Sequence, residues 1–189
     1  MGRRVIKEIR NCWLVSNILI IPIGEIDNTL LDFIKEELKS RFHQEVEIGS
    51  PLPIPAYAYN PKRDQYHSTP ILEEISSSTK YKHDKLLGII DVDLYVPELN
   101  FVFGEAQAIT GKAAIISITR LRQEFYGLTP NQKLFQERTL KEAVHELGHL
   151  FGLMHCKDPN CVMHFSNSIL DTDRKSSHFC LKCKEKLQL

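Results

Sequence analysis

No segment of the 189-residue sequence supplies the roughly 20 consecutive apolar residues that a membrane-spanning helix needs. Nor is there charge of either sign to spare. Lys plus Arg and Asp plus Glu each number 24, so no net field draws the chain toward nucleic acid or an anionic membrane, and neither partner is expected. Repeats and low-complexity tracts are absent too, which excludes repeat architectures and compositionally disordered chains. A secretory signal is not expected either. The basic MGRRVIKEIR leads into the apolar WLVSNILIIPI, but Ser16 and Asn17 interrupt that run and no small-residue cleavage site follows. Cysteine is scarce and odd in number, five in all, which argues against a secreted disulfide framework. A cytoplasmic protein is the expectation, and a monomer.

What is present fits one domain over 1–189. Hydrophobic residues make up 42% and charged residues 25%, ordinary for a chain long enough to bury a sizeable core. Residues 13–21 read as a buried strand. Asp27 or Asn28 caps a helix through TLLDFIKEELKSRF, whose Leu30, Leu31, Ile34, Leu38 and Phe42 share one face. A short strand follows at 46–48. Five prolines between 51 and 70 predict an irregular stretch, and 70–78 a short helix. Residues 86–96 read as one central strand, 101–109 as a glycine-interrupted edge and 113–121 as another buried strand. Thr129-Pro130 predicts the start of a long helix that stops near Gly152. Beyond 152 the chain is polar, and a small irregular subdomain, 156–189, is expected beside an N-terminal subdomain, 1–155.

The chemistry concentrates in VHELGHLFGLMHC, residues 144–156. His145 and His149 lie one turn apart on one face of the long helix, close enough to reach a single metal ion. Gly152 lets the chain turn back so that His155 becomes a third ligand. Three neutral imidazoles leave the ion dipositive with a position open, the pattern of a catalytic zinc rather than a structural one. Glu146, about 100° round the helix from His145, stands where a general base takes a proton from water. Chance places HExxH with a third histidine six residues on in roughly one such chain in a thousand. Cys156 and Cys161, with Cys180 and Cys183, add four thiols, enough for a second, closed zinc site that would organise the tail. Two disulfides are the competing arrangement. Cys12 reads as a buried thiol beside the first strand.

These residues together resemble the archaemetzincins, zinc metallopeptidases of the metzincin clan. The resemblance rests on HELGHLFGLMHC at 145–156, CVM at 161–163 and CLKC at 180–183. It extends upstream through DVDLYVPELNFVFGEAQ, IISITRL and RTLKEAVHELGH. It implies an α+β, zincin-like fold: a mixed sheet, mostly parallel with one antiparallel edge strand near 101–108, packed with helices. It further implies two zinc ions per chain, catalytic on His145, His149 and His155 and structural on the four cysteines, with Glu146 as base. Met163 would floor the metal site, and an extended peptide or protein substrate would pair with the edge strand. His164, His178, Tyr95, Tyr126 and Arg120 are left without assigned roles. Within the peptidase reading, an aminopeptidase would need an acid for the substrate's α-amine, and Glu105 is the candidate, its competing reading being a solvent-facing charge on the edge strand. A non-catalytic zinc-dependent peptide-binding module and a redox protein using the CxxC are the competing functions.

Overall fold

Strands that are apolar without alternation belong between two helical layers, because both of their faces must be covered. A computed structural model describes residues 17–189 and places them so. β1 (Asn17–Ile23) pairs in parallel with β2 (Glu45–Ile48) after α1 (Asn28–Phe42). Two two- and three-residue strands, β3 (Tyr59–Asn60) and β4 (Gln65–His67), then precede α2 (Ser68–Ser77). β5 (Lys85–Ile90), β6 (Leu94–Tyr95), β7 (Gly104–Ala106) and β8 (Ala113–Ser117) follow. The long helix α3 (Gln132–Leu150) and two short helices, α4 (Ile169–Arg174) and α5 (Leu181–Leu187), complete the chain. The main sheet runs β2-β1-β5-β8-β7, parallel except for β7, and a small second sheet runs β3-β4-β6. This is the mostly parallel mixed sheet with one antiparallel edge that the resemblance implied.

Alternate residues of each strand feed two cores. Ile18, Ile20, Leu87, Ile89, Ala114 and Ile116 face α1 and α3, while Leu19, Ile21, Leu86, Ile90 and Ile115 face α2. Each fully buried Leu or Ile contributes about 1.5–3 kcal/mol, so these rows fix which face each helix covers. α1 begins as expected, with the Asp27 side chain accepting from the Thr29 amide at 2.7 Å.

Several boundaries differ from the sequence reading. The strand expected over 86–96 breaks at Ile90 and its end joins the other sheet. Between the two pieces, Asp91 accepts from Arg122 at 2.6 Å and Asp93 from Arg120 at 2.6 and 2.7 Å, drawing the chain off the sheet. The strand expected over 113–121 stops at Ser117, whose hydroxyl donates to Val92 O. α3 starts after Asn131 rather than at Pro130, because the Asn131 side chain accepts from the Leu134 amide and makes the better cap. The proline-rich stretch contains β3 and β4, which are too short to show a periodicity. The tail is not wholly irregular: α4 carries a Ser168–Asp171 capping box, and Val162, Met163 and Phe179 sit in the same core as α3. Residues 13–16 of the expected first strand, and Cys12, lie outside the described residues. Among the described residues no helix is long and apolar enough to cross a membrane.

Candidate metal centres

α3 delivers His145, Glu146 and His149 to a cleft of about 320 Å³ beneath β7. Gly152, at φ +97°, occupies the left-handed conformation that ends the helix and turns the chain back. His155 thereby returns to within 5.3 Å of His145 and 4.9 Å of His149, ring centre to ring centre. One ring nitrogen from each of the three lies within 4.8 Å of the others.

Backbone carbonyls settle which nitrogens face inward. His145 Nδ1 lies 2.8 Å from Val162 O and His149 Nδ1 2.8 Å from Leu153 O. A carbonyl only accepts, so both Nδ1 atoms carry protons and each neutral ring presents a lone pair at Nε2. Those two Nε2 atoms stand 3.2 Å apart. Two lone pairs facing at that distance repel unless a cation lies between them, so the donor set fits a metal. Burial above all, with Lys175 and the neighbouring imidazoles adding to it, holds His145 well below the ordinary histidine range. His149 and His155 are lowered chiefly by burial as well, and all three rings are therefore neutral at pH 7. Burial, helped by Glu142, pushes Glu146 up to about 8, while Lys175 opposes the shift.

The four cysteines also converge. Cys156 Sγ and Cys180 Sγ are 3.8 Å apart, as are Cys161 Sγ and Cys183 Sγ. Disulfide sulfurs stand about 2.05 Å apart. Sulfurs on a tetrahedron about 2.3 Å from its centre stand about 3.8 Å apart, the zinc–thiolate geometry. Burial above all, with the neighbouring thiols adding to it, pushes Cys183 far up. The disulfide arrangement is not adopted: all four thiols are free.

The two clusters share a short frame. The Cys156 amide donates to Met163 O at 2.8 Å, and His164 Nδ1 lies 3.0 Å from Cys156 O. Met163 is fully buried against Gly148, where a Cβ would stand 2.4 Å from its sulfur, so α3 needs glycine at that turn. Beyond Met163, Asp173 and Lys175 fasten the tail to α3. Arg138 holds Asp173 through two bonds of 2.7 Å, and the buried Lys175 Nζ lies 3.0 Å from Glu142 Oε1.

The remaining sequence candidates stand apart from the cleft. His178 bonds Arg41, Tyr95 receives Asn60 in the small sheet, Tyr126 donates to Arg120 O, and Arg120 pairs with Asp93. Glu105 lines the cleft, but both its oxygens accept from α2, one from Ser68 and the other from Thr69 at 2.8 Å. It is not the solvent-facing edge charge that its place in a short strand suggested. Sequence reasoning missed the orienting carbonyls of Val162 and Leu153, because a backbone carbonyl leaves no residue-type signal. It also missed the Lys175–Glu142 pair, since isolated charges read as surface.

With this geometry in view, comparison with known proteins is decisive. The profile of peptidase family M54 matches residues 52–189. The chain belongs to peptidase family M54. Curated relatives are archaemetzincins: that of Methanocaldococcus jannaschii is 46% identical over 93% of this chain and 94% of its own. That of Pyrococcus furiosus is 48% identical over 90% and 92%. Among solved structures, the archaemetzincin of Methanopyrus kandleri superposes with a TM-score of 0.80 at 37% identity, covering 92% of this chain and 93% of its own. That of Archaeoglobus fulgidus, solved with malonate, gives 0.78 at 38% identity over 90% and 99%. As an M54 member, the chain is a peptidase whose histidine and cysteine clusters both suit a metal.

Proposed function

We propose that this peptidase is a zinc enzyme in which His145, His149 and His155 hold the catalytic ion and Glu146 is the general base. In the same reading Cys156, Cys161, Cys180 and Cys183 hold a second, structural zinc, giving two ions per chain. The observation that carries the proposal is the convergence of two unprotonated Nε2 atoms, 3.2 Å apart, beside a buried carboxylate in one cleft. Zinc held there supplies Lewis acidity, polarising the scissile carbonyl and making an attacking water more acidic. Glu146 takes the proton from that water as its oxygen bonds to the carbonyl carbon. It then delivers the proton to the amide nitrogen as the carbon–nitrogen bond breaks.

The substrate is an extended peptide or protein. On either side of β7, Phe103 O accepts from the Ser117 amide and the Gln107 amide donates to Ala113 O, so by alternation Gly104 and Ala106 turn their backbone groups to the open edge. Those groups are available for strand addition by the substrate. Leu99, Phe101, Phe103, Ile109 and Phe165 make the cleft walls apolar, which favours bulky apolar side chains beside the scissile bond. Glu105, engaged with α2, fastens β7 rather than binding an α-amine. A blocked, non-catalytic metal site is disfavoured, because the cleft opens onto all three imidazoles. The free thiols suit a reducing, cytoplasmic compartment. The tail 156–189 is proposed to take part of its order from its own zinc.

Metal removal tests the reading. Protein treated with dipicolinate should lose all cleavage of a quenched-fluorescent peptide library, and stoichiometric zinc should restore it. Including acetylated and free-amine peptides separates aminopeptidase from endopeptidase action. Cleavage that survives complete removal of zinc would refute the proposal.

A further inference from the structure

We infer that Gly104 is a positioning residue for Glu146: having no side chain, it sets how closely the edge strand can cover the base. Pleat alternation decides its direction. Gly104 pairs with Ile116, whose side chain lies on the α3 side of the sheet, whereas Glu105 pairs with Ile115 on the α2 side. Glu105 accordingly reaches Ser68 and Thr69 of α2, and Gly104 presents a bare Cα to α3.

Glu146 fills the space a side chain would take. A Cβ at Gly104 would stand 2.7 Å from Glu146 Cγ, 2.9 Å from Glu146 Oε1 and 2.9 Å from Ile115 O. All are shorter than side-chain atoms tolerate, and neither neighbour yields cheaply. Ile115 O belongs to the adjacent strand, and Glu146 is buried on a helix whose flanking histidines are fixed by Val162 and Leu153. Backbone freedom is not the reason for the glycine, since positive φ occurs only at Gly24, Gly127 and Gly152 among the described glycines. Space is the reason. The same residue turns its backbone groups to the open edge, so a substrate paired there would lie directly beside the base. Gly104 thus links the strand that holds substrate to the carboxylate that moves the proton.

This inference rests on Glu146 being the base, but the contact can be measured without it. Gly104→Ala, Glu146→Ala, the double variant and wild type are compared as zinc-loaded full-length protein. Gly104→Ala should keep wild-type zinc and a similar KM on a peptide selected from the library. Its kcat should fall about 10²-fold, the scale of an ångström of misplacement. Its thermal midpoint should drop by about 3–10 °C, as overpacking predicts. In the Glu146→Ala background, where Cγ and the carboxylate are gone, the same methyl should cost at most half as many degrees. Wild-type kcat in Gly104→Ala, or an equal midpoint loss in both backgrounds, overturns the assignment. Should Gly104→Ala not fold, a folded double variant supports the contact and an unfolded one overturns it. A wild type without peptidase activity would sink the role of Glu146 as base, while the midpoint cycle still decides the contact.

Discussion

Glu146→Gln is expected to bind zinc as the wild type does and to lose kcat by about 10²–10⁴-fold, the usual contribution of a positioned general base. Glutamine keeps the Cγ that packs against Gly104 and the overall length, so the cleft under β7 stays filled. It is also neutral, which removes the penalty of burying a carboxylate with Glu142 nearby. The thermal midpoint should therefore not fall. Only proton acceptance is lost, because an amide oxygen cannot hold the proton through bond cleavage. Steady-state kinetics with zinc analysis on the same preparation reads both quantities. A Glu146→Gln enzyme turning over at the wild-type rate would remove the base from the mechanism, whatever its metal content.

The second large effect is expected at the thiol cluster. Cys183→Ser should remove one zinc, lower the thermal midpoint by about 10 °C or more, and reduce zinc at the histidine site too. Cys183 is buried in the core that contains Met163, Phe179 and α3, so the loss reaches beyond the tail surface. Cys156 directly follows His155, and its amide is bonded to Met163 O, so disorder at the cluster loosens the third histidine. His145 is affected as well, because Val162 O orients its ring. Denaturation scans and metal analysis decide the matter. Unchanged stability with one zinc lost would mean that the tail is held by its apolar contacts and by Arg138–Asp173, not by metal.

The sequence made the site legible where chemistry depends on side-chain type and local spacing. His145, Glu146 and His149 lie within two turns of one helix, Gly152 places His155, and four cysteines can be counted directly. The two-face burial of β1, β5 and β8 was legible for a similar reason, since unbroken apolar runs have few other uses. Less legible were features made by distant segments meeting. The break after Ile90 depends on arginines about 30 residues later, and β3 and β4 exist only because each finds its partner. Gly104 read as a generic edge glycine, since the atoms that exclude a Cβ belong to Glu146, 42 residues on, and to the Ile115 carbonyl of the neighbouring strand. Glu105 read as a surface charge because Ser68 and Thr69 are brought to it by the fold. Carbonyl groups that orient the histidines carry no signature of residue type at all.

The most direct test of the account is the zinc content of purified wild type and His149→Ala, measured side by side by elemental mass spectrometry. Two zinc ions per chain falling to one, with the fold retained, is the predicted result. It would separate a histidine site from a thiolate site in a single comparison. An equal zinc content in the two proteins would contradict the central claim that His149 holds a zinc ion.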